Sequence, residues 1–200
     1  MSQSMTDLSS LQLDALRELA NIGSGTAGTA LSQLVGRSVD ISVPNASVLD
    51  LADAVDAVGP AESEATGIVI PLEGEMDAVV LLLFPVEGAG VLCGMLGVEA
   101  GTEDGTSALR EIGNILSASY IGSLTAMTGL DLDLTPPQDV TDMLAAIVAT
   151  VLATRSGETD SALILDSELS VEGEGCSMSF LLLPAAGGVR EILSRMGVDA

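Results

Sequence analysis

The sequence contains no histidine, no lysine and no tryptophan, and aromatic residues make up 2% of it. Without histidine the chain lacks the commonest general base at neutral pH, the Ser-His-Asp arrangement of serine hydrolases and most zinc sites. With one Tyr and two Phe, the core must be assembled from Leu, Val, Ile, Ala and Met. No uninterrupted apolar run reaches the roughly 18 residues of a membrane-spanning helix, so none is expected. The opening residues, Met1 to Asp7, have neither a basic start nor an apolar run. A signal peptide is therefore not expected there, and a cytoplasmic protein is. Cys93 and Cys176 stand far apart in apolar segments. They read as buried free thiols rather than a disulfide or a catalytic pair.

Positive charge is nearly missing too. Six basic residues, all Arg, face 29 acidic ones, for a formal net charge of -23. Such a surface repels nucleic-acid phosphates and anionic lipids, so neither nucleic acid nor membrane is expected as a partner. The carboxylates are spread along the chain rather than gathered in a tail. The 48% hydrophobic content also argues against disorder. An ordered, lysine-free and uniformly acidic chain fits a high-salt cytoplasm, where self-repulsion is screened. Two hundred residues suit one domain, or two small halves that share a core.

The chain is written twice. Asp14, Glu18, Asn21 and Pro44 in one half match Ser107, Glu111, Asn114 and Pro137 in the other. Both read Asp/Ser-x3-Glu-x2-Asn-x22-Pro without a gap. Leu81-Leu-Leu-Phe-Pro85 then corresponds to Leu181-Leu-Leu-Pro184, and Gly97-Val-Glu-Ala100 to Gly197-Val-Asp-Ala200. The halves span about residues 8–100 and 105–200, with the boundary near Gly101 to Gly105.

Periodicity predicts a long helix over Ser10 to Leu34, capped by Ser9 or Ser10, and a strand from Ser38 to Val43 ended by Pro44. Strands are predicted over Thr66 to Leu72 and Ala78 to Phe84, with a short helix from about Gly88 to Leu96. The second half repeats this: a helix over Thr106 to Thr128, a strand over Leu130 to Leu134, and a helix over Thr141 to Ala153. Strands over Ala162 to Leu169 and Met178 to Leu183 and a helix over Gly188 to Met196 complete it. Neither half holds enough apolar surface to stand well alone. The expected fold is α/β in the two-layer α+β sense. It is one pseudo-two-fold domain over residues 1–200, whose pooled mixed or antiparallel sheet packs on the two long helices.

On the first long helix, Asp14, Glu18, Asn21, Gly25 and Ser32 fall in a stripe about 60° wide, opposite Leu16, Ala20, Ala27 and Leu31. Ser107, Glu111, Asn114 and Ala118 form the same stripe on the second, opposite Leu109, Ile112 and Leu116. One polar stripe is what any amphipathic helix shows. Two stripes with Glu and Asn at identical spacing, among surface residues that have otherwise diverged, point to a function. Asn is moreover a mediocre helix former, so propensity does not explain it twice in mid-helix. Gly23-Ser-Gly-Thr-Ala-Gly28 matches the G-x-G-x-x-G pattern, but it lies inside a helical segment with no strand before it. Close helix packing explains its small residues better than a dinucleotide.

The doubled Glu/Asn motif resembles the signature of the CheC, CheX and FliY phosphatases, and the resemblance extends over the whole chain. Two copies without added segments are more similar to CheC. The resemblance implies hydrolysis of the aspartyl phosphate of a CheY-like response regulator. Asn21 and Asn114 would orient the attacking water, while Glu18 and Glu111 would pair with the regulator's active-site lysine. Asp14 and Ser107 would help present the helix face, and Pro44 and Pro137 would be structural. No cofactor of its own is implied, since the divalent metal belongs to the regulator. Alternatively the resemblance implies an adaptor that binds the receptor deamidase CheD, with a contact expected on the helix over Thr141 to Ala153. A structural part of the flagellar switch is a third possibility, against which the Glu/Asn pairs argue. The glycines after Asn21 favour the second copy as the more rigid site.

Overall fold

In a computed structural model of the protein, the residues described are 8–154, 161–171 and 174–198. Met1 to Asp7, and the Asp199-Ala200 end of the second repeat, lie outside them. Helix α1 (Ser10–Val35) begins at a reciprocal cap. The Gln12 N–H donates to the Ser9 hydroxyl at 3.3 Å, and the Ser9 N–H donates to the Gln12 side-chain oxygen at 2.9 Å. Such a box satisfies two free N–H groups and contributes about 1 kcal/mol. The helix stops at Gly36, whose φ of 69° is left-handed and costs glycine no Cβ clash. After α1 come β1 (Val39–Asp50), α2 (Leu51–Ala57), β2 (Glu64–Gly74), β3 (Ala78–Pro85) and α3 (Val86–Met95). The second half runs α4 (Glu103–Thr128), β4 (Leu132–Leu134), β5 (Gln138–Met143), α5 (Leu144–Thr154), β6 (Ser161–Val171), β7 (Glu174–Pro184) and α6 (Gly188–Arg195). Helix α4 repeats the construction of α1, with the Thr102 hydroxyl accepting from the Gly105 N–H at 3.1 Å and Gly129 closing it at φ 71°.

All strand pairings are antiparallel, in one seven-stranded sheet of order β1-β6-β7-β3-β2-β4, with β5 also on β2. The two hairpins, β2–β3 and β6–β7, meet at the centre, where Leu81 faces Leu181. The remaining strands are exchanged. β1 of the first half pairs with β6 of the second, and β4 and β5 of the second pair with β2 of the first. Each half thus completes the other's sheet.

Helices α1 and α4 lie side by side on one face, burying Leu16, Ala27, Leu116 and Tyr120 against Ile68, Leu82, Leu165 and Phe180. The opposite face is covered as well. Leu144, Ile147 and Val148 of α5 and Ala54 of α2 pack on Leu81, Ile164 and Leu181. The α+β class stands, with this third layer added to the two expected. Strands buried on both faces read as continuous apolar runs, which accounts for the repeated Leu-Leu-Leu triplets of β3 and β7.

Three local expectations are corrected. Pro44 does not end the first strand: β1 continues to Asp50, and its register slips between Ser42 and Asn45. A bulge on an edge strand tolerates a residue without an N–H. In the second copy, β4 does stop before Pro136-Pro137, but β5 resumes at Gln138 along the same neighbour, β2. Thr141 to Met143 therefore belong to β5 rather than to the following helix, with Thr141 facing Thr66 and their hydroxyls 3.2 Å apart. Helix α2, which periodicity does not predict, sits at the position α5 holds in the other half.

Candidate functional site

Glu18 and Asn21 are exposed on α1, and Glu111 is exposed on α4 with Asn114 half-buried beside it. Both pairs lie on the side of their helix facing away from the sheet. Asp14 and Ser107 are exposed one turn before each Glu. Ser32, expected in the same stripe, belongs instead to the scaffold. Its hydroxyl donates to the Gly28 carbonyl at 2.6 Å and accepts from the Val39 N–H at 2.8 Å, fastening the end of α1 to β1.

The glycine-rich stretch serves packing. A Cβ on Gly23 would stand 2.9 Å from Cε1 of Tyr120 and 3.2 Å from its Cα, so α1 and α4 approach closely only because Gly23 has no side chain. A Cβ on Gly28 would come within 2.9 Å of the Val39 carbonyl oxygen, whereas Gly25 faces open space. The Tyr120 ring rests on Phe180 at 4.7 Å between centroids, and its hydroxyl lies 3.3 Å from that of Ser167. This buried seam fixes the two Glu/Asn faces relative to each other.

The two copies differ in their surroundings. Ser107, Arg110, Glu111 and Asn114 line a groove whose other wall is Leu134-Thr135-Pro136-Pro137. That wall is braced, because the Thr135 N–H and hydroxyl both donate to the Pro71 carbonyl, at 3.0 and 2.8 Å. Around Asn21 the surface is shallow and made by α1 itself, from Ile22, Gly25, Thr26, Thr29, Ala30 and Gln33. Pro137 thus borders the second site, whereas Pro44 shapes a bulge and lines a different depression with Asn45, Asp166 and Ser179.

Two neighbours were not singled out from the sequence. Arg17 and Arg110 each precede the Glu, in Ala15-Leu16-Arg17-Glu18 and Ala108-Leu109-Arg110-Glu111, and this verbatim repeat was the signal available for them. Arg17 meets Asp14 at 3.3 Å within α1. Nε of Arg110 donates to Oδ1 of Asp139 on β5 at 2.6 Å, and Nη2 lies 2.5 Å from the same oxygen in the ion pair. Among the described residues, no group of three or more Cys, Asp and Glu side chains is placed to hold a metal ion. No described helix is long and apolar enough to cross a membrane. Both cysteines are free, and burial pushes the Cys176 thiol up to about 11 and raises that of Cys93. Chemically, each face offers a carboxylate that can accept from a partner's cation. Beside it stands a carboxamide that donates and accepts at one point.

Known proteins bear on this arrangement. The sequence profile of the CheC-like family matches residues 11–48 and 105–139, the two segments that carry the motif. The CheY-P phosphatase CheC of Bacillus subtilis is 31% identical over 166 residues, covering 79% of each chain. The chain belongs to the CheC-like family. A second relative, the putative CheY-P phosphatase CheC1 of Halobacterium salinarum, is 29% identical over 164 residues, which span 79% of this chain and 82% of that protein. In three dimensions the chain resembles the crystal structure of Thermotoga maritima FliY, with a TM-score of 0.75 over 96% of this chain and 99% of that one. At 20% identity that likeness shows the fold alone. The two profile segments are α1 with most of β1, and α4 with β4 and the start of β5. The family signal therefore lies on the long helices and the strands exchanged between halves.

Proposed function

We propose that this protein is a phosphatase for the aspartyl phosphate of a CheY-like response regulator. The observation that carries the proposal is the presentation of Glu18 with Asn21, and of Glu111 with Asn114, on the outer faces of two paired helices in a CheC-like fold. A protein without histidine can catalyse such a reaction because the regulator supplies the metal ion and the lysine. What remains is to place water in line with phosphorus, and positioning alone lowers a barrier substantially. Asn21 and Asn114 hold that water, and Glu18 and Glu111 pair with the regulator's lysine to set the docked geometry. The braced groove around Asn114 restrains its carboxamide more than the open surface restrains that of Asn21, so the second site carries more of the turnover.

The test is the decay of a phosphorylated CheY-like regulator in concentrated KCl, with the wild type and with the Asn21→Ala/Asn114→Ala variant. Acceleration that disappears in the double variant supports the reading. A double variant as active as the wild type refutes the assignment of the asparagines. An adaptor for the receptor deamidase CheD is the second role. Its contact is on α5, whose Leu144, Ile147 and Val148 are buried on the sheet while Ala149, Thr150 and Ala153 face outward. CheD capture that survives the double Asn variant, without any decay activity in the wild type, would favour the adaptor.

A further inference from the structure

A surface of net charge -23 repels a phosphorylated partner, so cations at the docking faces have a disproportionate effect. Of the six arginines, two occupy equivalent places in the repeat, directly before Glu18 and Glu111. Arg17 and Asn21, like Arg110 and Asn114, stand four residues apart and therefore on one helix face. Arg110 lines the same groove as Glu111 and Asn114.

The carboxylates that hold these arginines are not equivalent. Arg17 meets Asp14 on its own helix, whereas Arg110 meets Asp139 across on β5, and Ser107 replaces Asp14 in the second copy. A purely structural role explains Arg110, which ties α4 to β5. It fails for Arg17, because an exposed i,i+3 pair with side chains 62% and 69% exposed contributes almost nothing to stability. What the two copies share is an arginine four residues before the asparagine, on the same helix face. Asp139 meets Arg110 through one carboxylate oxygen, which accepts from Nε, so the five-donor guanidinium keeps N–H groups for another oxyanion.

We propose that Arg17 and Arg110 contact the oxyanions a phosphorylated partner brings to Asn21 and Asn114. This rests on the function proposed above and adds the positive charge that function needs. The planar, always-charged fork matches phosphoryl or carboxylate geometry, which lysine does not reproduce.

The test uses the full chain and a CheY-like regulator, either bare or carrying beryllofluoride as a stable phosphoryl mimic, with binding titrated in parallel with phosphate decay. Arg17→Ala/Arg110→Ala is expected to weaken binding of the activated regulator by roughly tenfold or more, with Arg→Lys variants in between. Asp139→Asn removes the same ion pair but keeps the arginine, and is expected to retain binding. A loss confined to the activated form identifies the phosphoryl oxygens as the contact. An equal loss with the bare regulator identifies carboxylates around its phosphorylation site. Unchanged affinity for both forms in the double Arg variant overturns the proposal, as does an equal loss in Asp139→Asn and Arg110→Ala. Binding of the activated regulator without accelerated decay would refute the phosphatase reading and still leave the arginine contact measurable. Failure of the wild type to bind the activated regulator would overturn both.

Discussion

Gly23→Ala is expected to destabilise the protein, although alanine is the better helix former. In an isolated helix the change gains about 1 kcal/mol. Here the added methyl would press into Cδ1 of the Tyr120 ring and stand 2.9 Å from Cε1 and 3.2 Å from Cα of that residue. Tyr120 is 1% exposed and wedged against Phe180, so its ring has no open space to swing into. Relief requires α1 and α4 to separate, and overpacking of this kind costs about 3 kcal/mol at the upper end of its range. The net loss is about 2 kcal/mol, or a fall in Tm of about 4–8 °C for a chain of this length. Gly122→Ala in α4 is the control, because a Cβ there meets nothing within 4 Å. It should gain about 0.5–1 kcal/mol and melt higher. Circular dichroism melts of both variants in the same KCl buffer check the pair. A Gly23→Ala protein that melts at or above the wild type would show that the helices do not meet through this glycine. The reasoning about how the two Glu/Asn faces are held would fall with it.

Other predictions concern the core around that seam. Tyr120→Phe leaves the buried Ser167 hydroxyl without its 3.3 Å partner and should cost about 1 kcal/mol, while adding Ser167→Ala should recover most of the loss. Urea midpoints of the single and double variants decide it, and additive losses would refute the coupling. Burial raises the Cys176 thiol from 9.0 to about 11 and also raises Cys93 and Tyr120. Each group keeps its proton in the folded state at pH values where the unfolded chain loses it. The Cys176 contribution is therefore fully present below about pH 9 and is lost as pH rises towards 11. Urea midpoints should decline over that window in the wild type and decline less in Cys176→Ala. A Cys176→Ala protein with the same alkaline decline would remove this thiol as a cause.

Much of the candidate site was legible in the sequence, because an α-helix turns spacing directly into geometry. Glu18 with Asn21 and Glu111 with Asn114 face outward where a period of 3.6 residues puts them, and the cap at Ser9 is a local hydrogen bond between near neighbours. The verbatim repeat also contained Arg17 and Arg110, but nothing local distinguishes a guanidinium beside a site from a solvated one. Only the packed chain puts Arg110 in a groove with Asp139 at its back. Proline carries similarly incomplete information. Its missing N–H predicts a break in pairing, yet whether a strand ends or merely bulges depends on the partner strand, so Pro44 was misjudged.

What the sequence by itself determined is the doubled unit, its two long helices and its hairpins, and the outward Glu/Asn faces, all set by interactions within a few residues. What only the tertiary structure decided is how the two units join. Repetition cannot say whether each first strand pairs with its own hairpin or with the other's, since both choices satisfy the same alternation of side chains. The exchange of β1 onto β6 and of β4 and β5 onto β2 is a non-local choice, favoured because it buries both faces of one continuous sheet. That exchange carries Leu134 to Pro137 alongside Asn114, while the surface around Asn21 is left to α1 alone. Two sites identical in motif thereby become different in shape.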